Sequence, residues 1–123
     1  MTWKDFIASE AASAYDTTQG LLGLVDPDAL AWKPASGTNW MTTGQLLRHI
    51  SDACGFCFRG FVTGDWGTPD GADLDALPSA EQLPSVSSLD EARRLLAEDR
   101  ELAFRMLGSV SEQDLAQRIT TAP

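Results

Sequence analysis

The sequence predicts an all-α protein, and three observations predict it. Apolar residues recur at helical spacing in three long stretches. Each stretch is preceded by a Ser or Thr cap and closed by Gly or Pro. No region alternates apolar and polar residues with period two over a useful length.

The first helix is expected over residues 3–24. Trp3, Ile7, Ala14, Thr18, Leu21 and Val25 share one face, and Thr2 with Asp5 makes a loose capping box. Asp26-Pro27 stops this helix, because a residue before Pro avoids the α region. Residues 26–42 connect onward, with a short turn around Asp28–Ala31. The second helix is expected over 43–62, capped by Thr42 or Thr43 and ended by Gly64 and Gly67. Its stripe is Leu46, Ile50, Ala53, Cys57 and Phe61, widened by Leu47, Cys54 and Phe58. Residues 64–87 form a long connection with three Gly, three Pro and five acidic residues, which reads as a solvated lid or spacer. Counted from Asp70 or Asp73, its oxygens miss positions 1, 3 and 5 of a calcium-binding loop. The third helix, 89–108, opens on the box Ser88-Leu89-Asp90-Glu91 and closes at Gly108. It carries Ala92, Leu95, Leu96, Ala103, Met106 and Leu107 on one face. A short helix, 112–117, follows the box Ser111-Glu112-Gln113-Asp114.

At 123 residues the chain makes one domain, 1–123. Nine Lys and Arg stand against 18 Asp and Glu, a net charge of -9. That balance argues against nucleic acid or an anionic membrane as partner, since both reward clustered cations. The start lacks the apolar core of a signal peptide, and no stretch approaches the roughly 18–20 apolar residues of a membrane span. Two cysteines are too few for a disulfide framework, so a cytoplasmic protein is expected.

His49 is the only histidine and lies obliquely to the stripe of the second helix, about 60–80° from its centre at 100° per residue. On residue context it reads as a partly buried histidine bonded to a carbonyl or carboxylate, because a metal site needs three or more ligands. Cys54 and Cys57 have redox spacing, but lie about three turns into the expected helix and follow no strand. His49 and Cys54 are about 140° apart around the helix and do not converge on one ion. Asp99 falls inside the third stripe, between Leu96 and Ala103, and Glu10 inside the first, between Ile7 and Ala14. Each either reaches the rim to pair with Arg48, Arg59 or Arg105, or faces His49 across a cleft as base, ligand or His-orienting group. Trp32, Trp40 and Trp66 lie in or beside connections, where an aromatic lines a ligand cleft or caps a bundle end.

The segment Leu30-Ala31-Trp32-Lys33-Pro34, a turn containing Gly37, and then Gly44-Gln45-Leu46-Leu47-Arg48-His49 resemble the DinB/YfiT-like superfamily. The pattern there is Leu-x-Trp-Lys-Pro, a Gly-containing turn and a helix opening Gly-x-Leu-Leu-x-His. The helix order and the segment from Ser109 to Leu115 are similar as well. The resemblance implies an up-down four-helix bundle with a long crossover, often a homodimer. It also implies a divalent metal, nickel or zinc, held by three histidines. His49 matches the first of these; the other two come from a His-x-x-x-His pair on a fourth helix. The sequence ends at Pro123, about where that helix would follow. The expectation is therefore a C-terminally incomplete bundle with three long helices, one visible ligand and apolar surface that another chain covers.

Two functions follow as expectations. In the first, a metal held partly by His49 activates water or a low-molecular-weight thiol such as mycothiol, bacillithiol or glutathione. The protein is then a hydrolase or a thiol transferase, with a small-molecule substrate near Trp32 and Trp40 and with Asp99 and Glu10 behind the metal. In the second, the chain is a non-catalytic helical module for self-association or partner binding.

Overall fold

The computed structural model describes residues 1–68, 71–73 and 76–122, and the described residues hold helices and no strand. Asp70, one starting point of the calcium-loop comparison, lies outside them, as do Pro69, Leu74 and Asp75 of the long connection and Pro123. Five α-helices are formed: α1 (Trp3–Leu22), α2 (Thr43–Ile50), α3 (Ala53–Thr63), α4 (Leu89–Ser109) and α5 (Glu112–Gln117). Short 3-10 turns occur at Pro27–Ala29 and Ala80–Gln82.

Local chemistry accounts for the helix starts. Thr2 Oγ1 accepts the Asp5 N–H at 3.1 Å, and the Asp5 carboxylate accepts the Thr2 N–H at 3.0 Å. Ser88 Oγ accepts from the Glu91 N–H at 3.0 Å, and the Glu91 carboxylate reaches back to Ser87. Ser111 and Asp114 make a capping box for α5. Helix α5 in turn serves α1: the Glu112 carboxylate accepts the free N–H groups of Lys4 at 2.7 Å and Trp3 at 3.2 Å, a negative group at a positive helix end. Two ends differ from expectation by one or two residues. Helix α1 stops at Leu22 because the N–H groups of residues 23–25 bond three residues back, as in a 3-10 helix, before Asp26-Pro27. Helix α4 runs through Gly108 to Ser109, whose hydroxyl donates to the Met106 carbonyl at 2.7 Å, so Val110 takes the capping position.

The expected single helix 43–62 is two helices. Ser51 turns its hydroxyl back onto the Leu47 carbonyl at 2.6 Å, and Asp52, at φ -138°, leaves the helical region. Helix α3 restarts at Ala53, and the N–H of Gly55 in its first turn is taken by the Asp99 carboxylate. The apolar stripe runs on across this break, so periodicity alone does not reveal it.

Helix α4 is central, with α1, α2 and α3 packed on it. The core holds Tyr15, Leu22, Leu47, Val86, Ala92, Leu96 and Ala103, with Phe58, Ile50, Cys54 and Phe104 packed around it. Helix α1 packs on α4 and buries Ala11, Tyr15 and Leu22, not the stripe expected from periodicity. Trp3, Ala14 and Leu21 of that stripe stay exposed. Helix α1 has apolar residues on two adjacent faces, and α4 covers the one that carries Tyr15.

The long connection is tied down at its far end by α2. Gln45 Nε2 donates to the carbonyls of Ala80 at 2.6 Å and Leu83 at 3.0 Å, and the Val86 N–H donates to the Gly44 carbonyl at 3.1 Å. The Gly44 N–H donates to the Leu30 carbonyl at 2.8 Å. Gly44 thus sits where two strands of connecting chain close on the helix start, and a side chain there would collide with Ser85 and lie 3.2 Å from the Leu30 and Val86 carbonyls. Gly44→Ala is expected to destabilise the protein by about 1–3 kcal/mol in urea unfolding. Gly108→Ala, within α4 and with nothing near its added carbon, is expected to stabilise it by about 0.5–1 kcal/mol in the same measurement.

Candidate functional site

The sequence places a carboxylate inside the apolar stripe of α4, and the structure buries it. Asp99 is 6% exposed and takes no arginine. Its Oδ2 accepts the Tyr15 hydroxyl at 2.6 Å, and both its oxygens lie 3.0 Å from the Gly55 nitrogen. The three residues lock α1, α3 and α4 together. Gly55 has to be Gly, because a Cβ would collide with the Asp99 carboxylate and lie 2.9 Å from the Asp99 backbone oxygen. Burial pushes the Asp99 carboxyl above the usual carboxylate range. The hydrogen bonds from Tyr15 and Gly55 pull it down, and the negative charge of Asp52 adds to the rise. Burial, and then the Asp99 partner itself, raises the Tyr15 phenol above its ordinary value.

Beside this lock lies an open cleft of about 630 Å³ between α2, α3 and α4. It is lined by His49 and Asp52 beside the α2–α3 break, by Ala53, Phe56, Cys57 and Arg59 along α3, and by Asp99 and Leu102 of α4. His49 is exposed rather than partly buried, and among the described residues its ring makes no hydrogen bond. It comes just before the α2–α3 break, on the last turn of α2. Asp52 is held by Arg48 at 2.8 Å across that break. His49 and Asp99 therefore share a cleft. Glu10 stands on the exposed face of α1, outside the lining of that cleft.

The tryptophans divide. Trp66 lies over Gly60 and packs edge-on against Phe56 at 5.5 Å and Phe61 at 4.9 Å, and its indole N–H donates to the Thr121 carbonyl at 3.2 Å. Trp32 and Trp40 are more than half exposed on the 26–42 connection, outside the lining of this cleft. The Trp40 indole donates to the Ser36 carbonyl at 2.8 Å.

The helix break also changes the setting of the cysteine pair. Cys54 lies in the first turn of α3, not three turns into a helix. That position favours a thiolate, but here the Asp99 carboxylate already occupies the helix end. Burial raises the Cys54 thiol, and the Asp99 and Cys57 charges add to the rise against a hydrogen bond with Tyr15. Cys54 packs on the core, while Cys57 is exposed, and both thiols are free.

Among the described residues no group of three or more His, Cys, Asp or Glu side chains is arranged to hold a metal ion. The donors nearest in kind to a ligand set are committed elsewhere: Asp99 to Tyr15 and Gly55, Asp52 to Arg48. The residues present offer an accessible imidazole and do not by themselves fit a divalent metal. Sequence reasoning missed Tyr15 and Gly55 as the partners of Asp99, and it read Arg59 only as a carboxylate partner. The signal available for Tyr15 is that it is the only tyrosine.

Tyr15→Phe leaves a buried carboxylate oxygen without its hydroxyl donor and is expected to cost about 1–3 kcal/mol in chemical unfolding. The raised carboxyl of Asp99 also sets a pH dependence. Its folded pKa lies above that of the unfolded chain, so ionisation costs the folded state more. No penalty exists below the ordinary carboxylate pKa, and stability is lost as pH rises through the raised folded value. The difference in unfolding free energy between wild type and Asp99→Asn is therefore expected to move against wild type from pH 4 upward, as read from urea curves at successive pH values.

A search of curated proteins and a search of solved structures each found no match to the chain. A family model, the DinB superfamily, matches residues 10–123. That span takes in the Gly44–His49 helix start, the Asp99 lock and the whole cleft, and the chain belongs to the DinB superfamily.

Proposed function

We propose that this chain is a divalent-metal-dependent enzyme of the thiol-transferase or hydrolase kind, in which His49 supplies one ligand to nickel or zinc. The observation that carries this reading is the placement of His49. The Gly-x-Leu-Leu-x-His start brings an unbonded imidazole to the rim of an open cleft, in a chain that belongs to the DinB superfamily. Gly44 and Gln45 fix the start of α2 against the connecting chain, and Leu47 anchors it in the core. His49 is held at the rim by that frame.

The remaining ligands belong to a further protein element that faces the cleft, because the carboxylates within it are already engaged. A homodimer belongs to the same proposal as the cover for exposed apolar surface; with one histidine per chain, a second copy adds a single imidazole and does not by itself complete the ligand set. Its support is exposed apolar side chains: Trp3 and Leu21 on α1, Leu46 on α2 and Phe61 on α3 are all about half exposed or more. The substrate is a small molecule within the cleft, with a low-molecular-weight thiol as co-substrate in the transferase case. A cytoplasmic location belongs to the same proposal and is supported by the two free thiols. Among the described residues no helix is long and apolar enough to cross a membrane.

The same apolar surface, together with the lack of a full ligand set among the described residues, favours a second reading: a non-catalytic module for self-association or partner binding. Calorimetric titration with Ni²⁺ or Zn²⁺, paired with sedimentation, separates the two. The enzyme reading expects near-stoichiometric metal binding that weakens at least tenfold in His49→Ala. Absence of metal binding in both proteins, with self-association intact, leaves the module.

A further inference from the structure

The chain has twice as many acidic as basic residues, so its arginines find carboxylates readily. Arg48 pairs with Asp52, Arg93 with Asp90, Arg94 with Glu98 and Arg100 with Asp16. Arg105 and Arg118 are exposed and stand outside these pairs, as Arg59 does, but Arg59 alone of the three is half-buried and lines the cleft. Among the described residues its guanidinium has no ion pair, and its Nε is buried without an acceptor. A buried donor of a charged group without an acceptor is unusual and calls for a partner. The guanidinium has neighbours, but among the described residues none of them supplies an acceptor to Nε. Its central carbon is 5.8 Å from the centre of the Phe56 ring. On another side is Gly67, at φ +65°, where a Cβ would lie 2.9 Å from Nη2. These neighbours flank the group where it lines the cleft.

The acids of the cleft do not supply the acceptor. Asp52 is engaged by Arg48 at 2.8 Å, and Asp99 by the Tyr15 hydroxyl and the Gly55 N–H. A guanidinium that lines the cleft without an ion pair suits a planar oxyanion, which it can bind through two parallel hydrogen bonds. The charge of the surroundings narrows the choice. With one arginine in the lining and Asp52 and Asp99 nearby, a singly charged carboxylate suits the cleft better than a doubly charged phosphate. Phe56, Ala53 and Leu102 supply apolar walls beside it.

We propose that Arg59 is the anchor for a small molecule with a carboxylate at one end and an apolar body lying along Phe56 and Leu102 toward His49. Ala53 and Arg59 are six residues apart on α3, a rise of about 9 Å at 1.5 Å per residue. A ligand held at Arg59 therefore spans that distance before it reaches the His49 end. This deepens the reading of the cleft as a small-molecule site and rests on it, while needing no metal.

The test is an NMR titration of EDTA-treated protein with 4-phenylbutyrate and with its neutral amide. The probes differ in charge and share the apolar body, and a buried arginine Nε–H gives a signal that can be followed directly. The acid is expected to shift the Arg59 Nε–H and the Phe56 amide, and to bind at least tenfold more tightly than the amide. Arg59→Gln is expected to abolish that preference, Arg59→Lys to keep part of it, and Arg94→Gln, in an exposed pair, to leave it unchanged. An unchanged amide spectrum elsewhere shows that the variants are folded. Equal binding of acid and amide, persistence of the preference in Arg59→Gln, or no binding of either probe to wild type overturns the proposal. Metal binding at His49 is read in a separate titration, so either idea can fail while the other stands.

Discussion

The fold turns on one carboxylate. Asp99 lies in the middle of α4, where an apolar residue would continue the stripe, and it is buried there without a cation. An ionised group in that position is tolerated only when its oxygens are filled with donors. Gly55 on α3 and Tyr15 on α1 fill them. Each donor comes from a different helix, so satisfying one side chain fixes two helices on a third. The Gly55 N–H is free to donate because α3 begins at Ala53, and α3 begins there because the chain leaves the helix at Asp52. The break and the buried acid thus explain each other.

That break organises the cleft. Helix α2 is a separate short element, held at its start by Gly44 and Gln45 against the connecting chain and by Leu47 in the core. Its last turn, with Arg48 and His49, ends beside the cleft. Helix α3 carries Phe56, Cys57 and Arg59 along the same cleft. The Gly-x-Leu-Leu-x-His pattern therefore has a physical reading residue by residue. The Gly admits close backbone, the first Leu is exposed, the second is core, and the His reaches the rim.

What was legible in the sequence was what neighbours in the chain decide. The starts of α1, α4 and α5 follow from Ser or Thr side chains that bond within three residues, and periodicity and caps sufficed to place them. Asp99 was legible as an anomaly because a carboxylate interrupts an otherwise apolar stripe. Its partners were not, since Gly55 and Tyr15 lie 44 and 84 residues away in sequence and no local spacing links them to it. The helix break was hidden because the apolar stripe continues through it, and the carboxylate that takes the Gly55 N–H beyond it lies on α4. The choice between the two faces of α1 was also beyond periodicity, because it depends on which one brings Tyr15 to Asp99. His49 was legible as part of a motif, whereas its exposure depends on where α2 ends. Arg59 gave no distinctive signal, for a charged residue off the stripe reads as ordinary surface.

The acidity of the chain takes on a different meaning at the cleft. A net charge of -9 suggests a surface that repels anions. Within the cleft, however, the negative groups are quenched one by one. Arg48 neutralises Asp52 at short range, and the Tyr15 hydroxyl and Gly55 N–H surround Asp99, whose burial favours its neutral form. Among the described residues, the polar side chains of the cleft that remain uncommitted include the His49 imidazole, the Arg59 guanidinium and the Cys57 thiol. Long-range repulsion between exposed charges fades over about 8–10 Å at ordinary ionic strength, while a desolvated donor at contact distance does not lose its strength in the same way. Local pairing, more than the overall balance of charges, therefore decides what this cleft can hold.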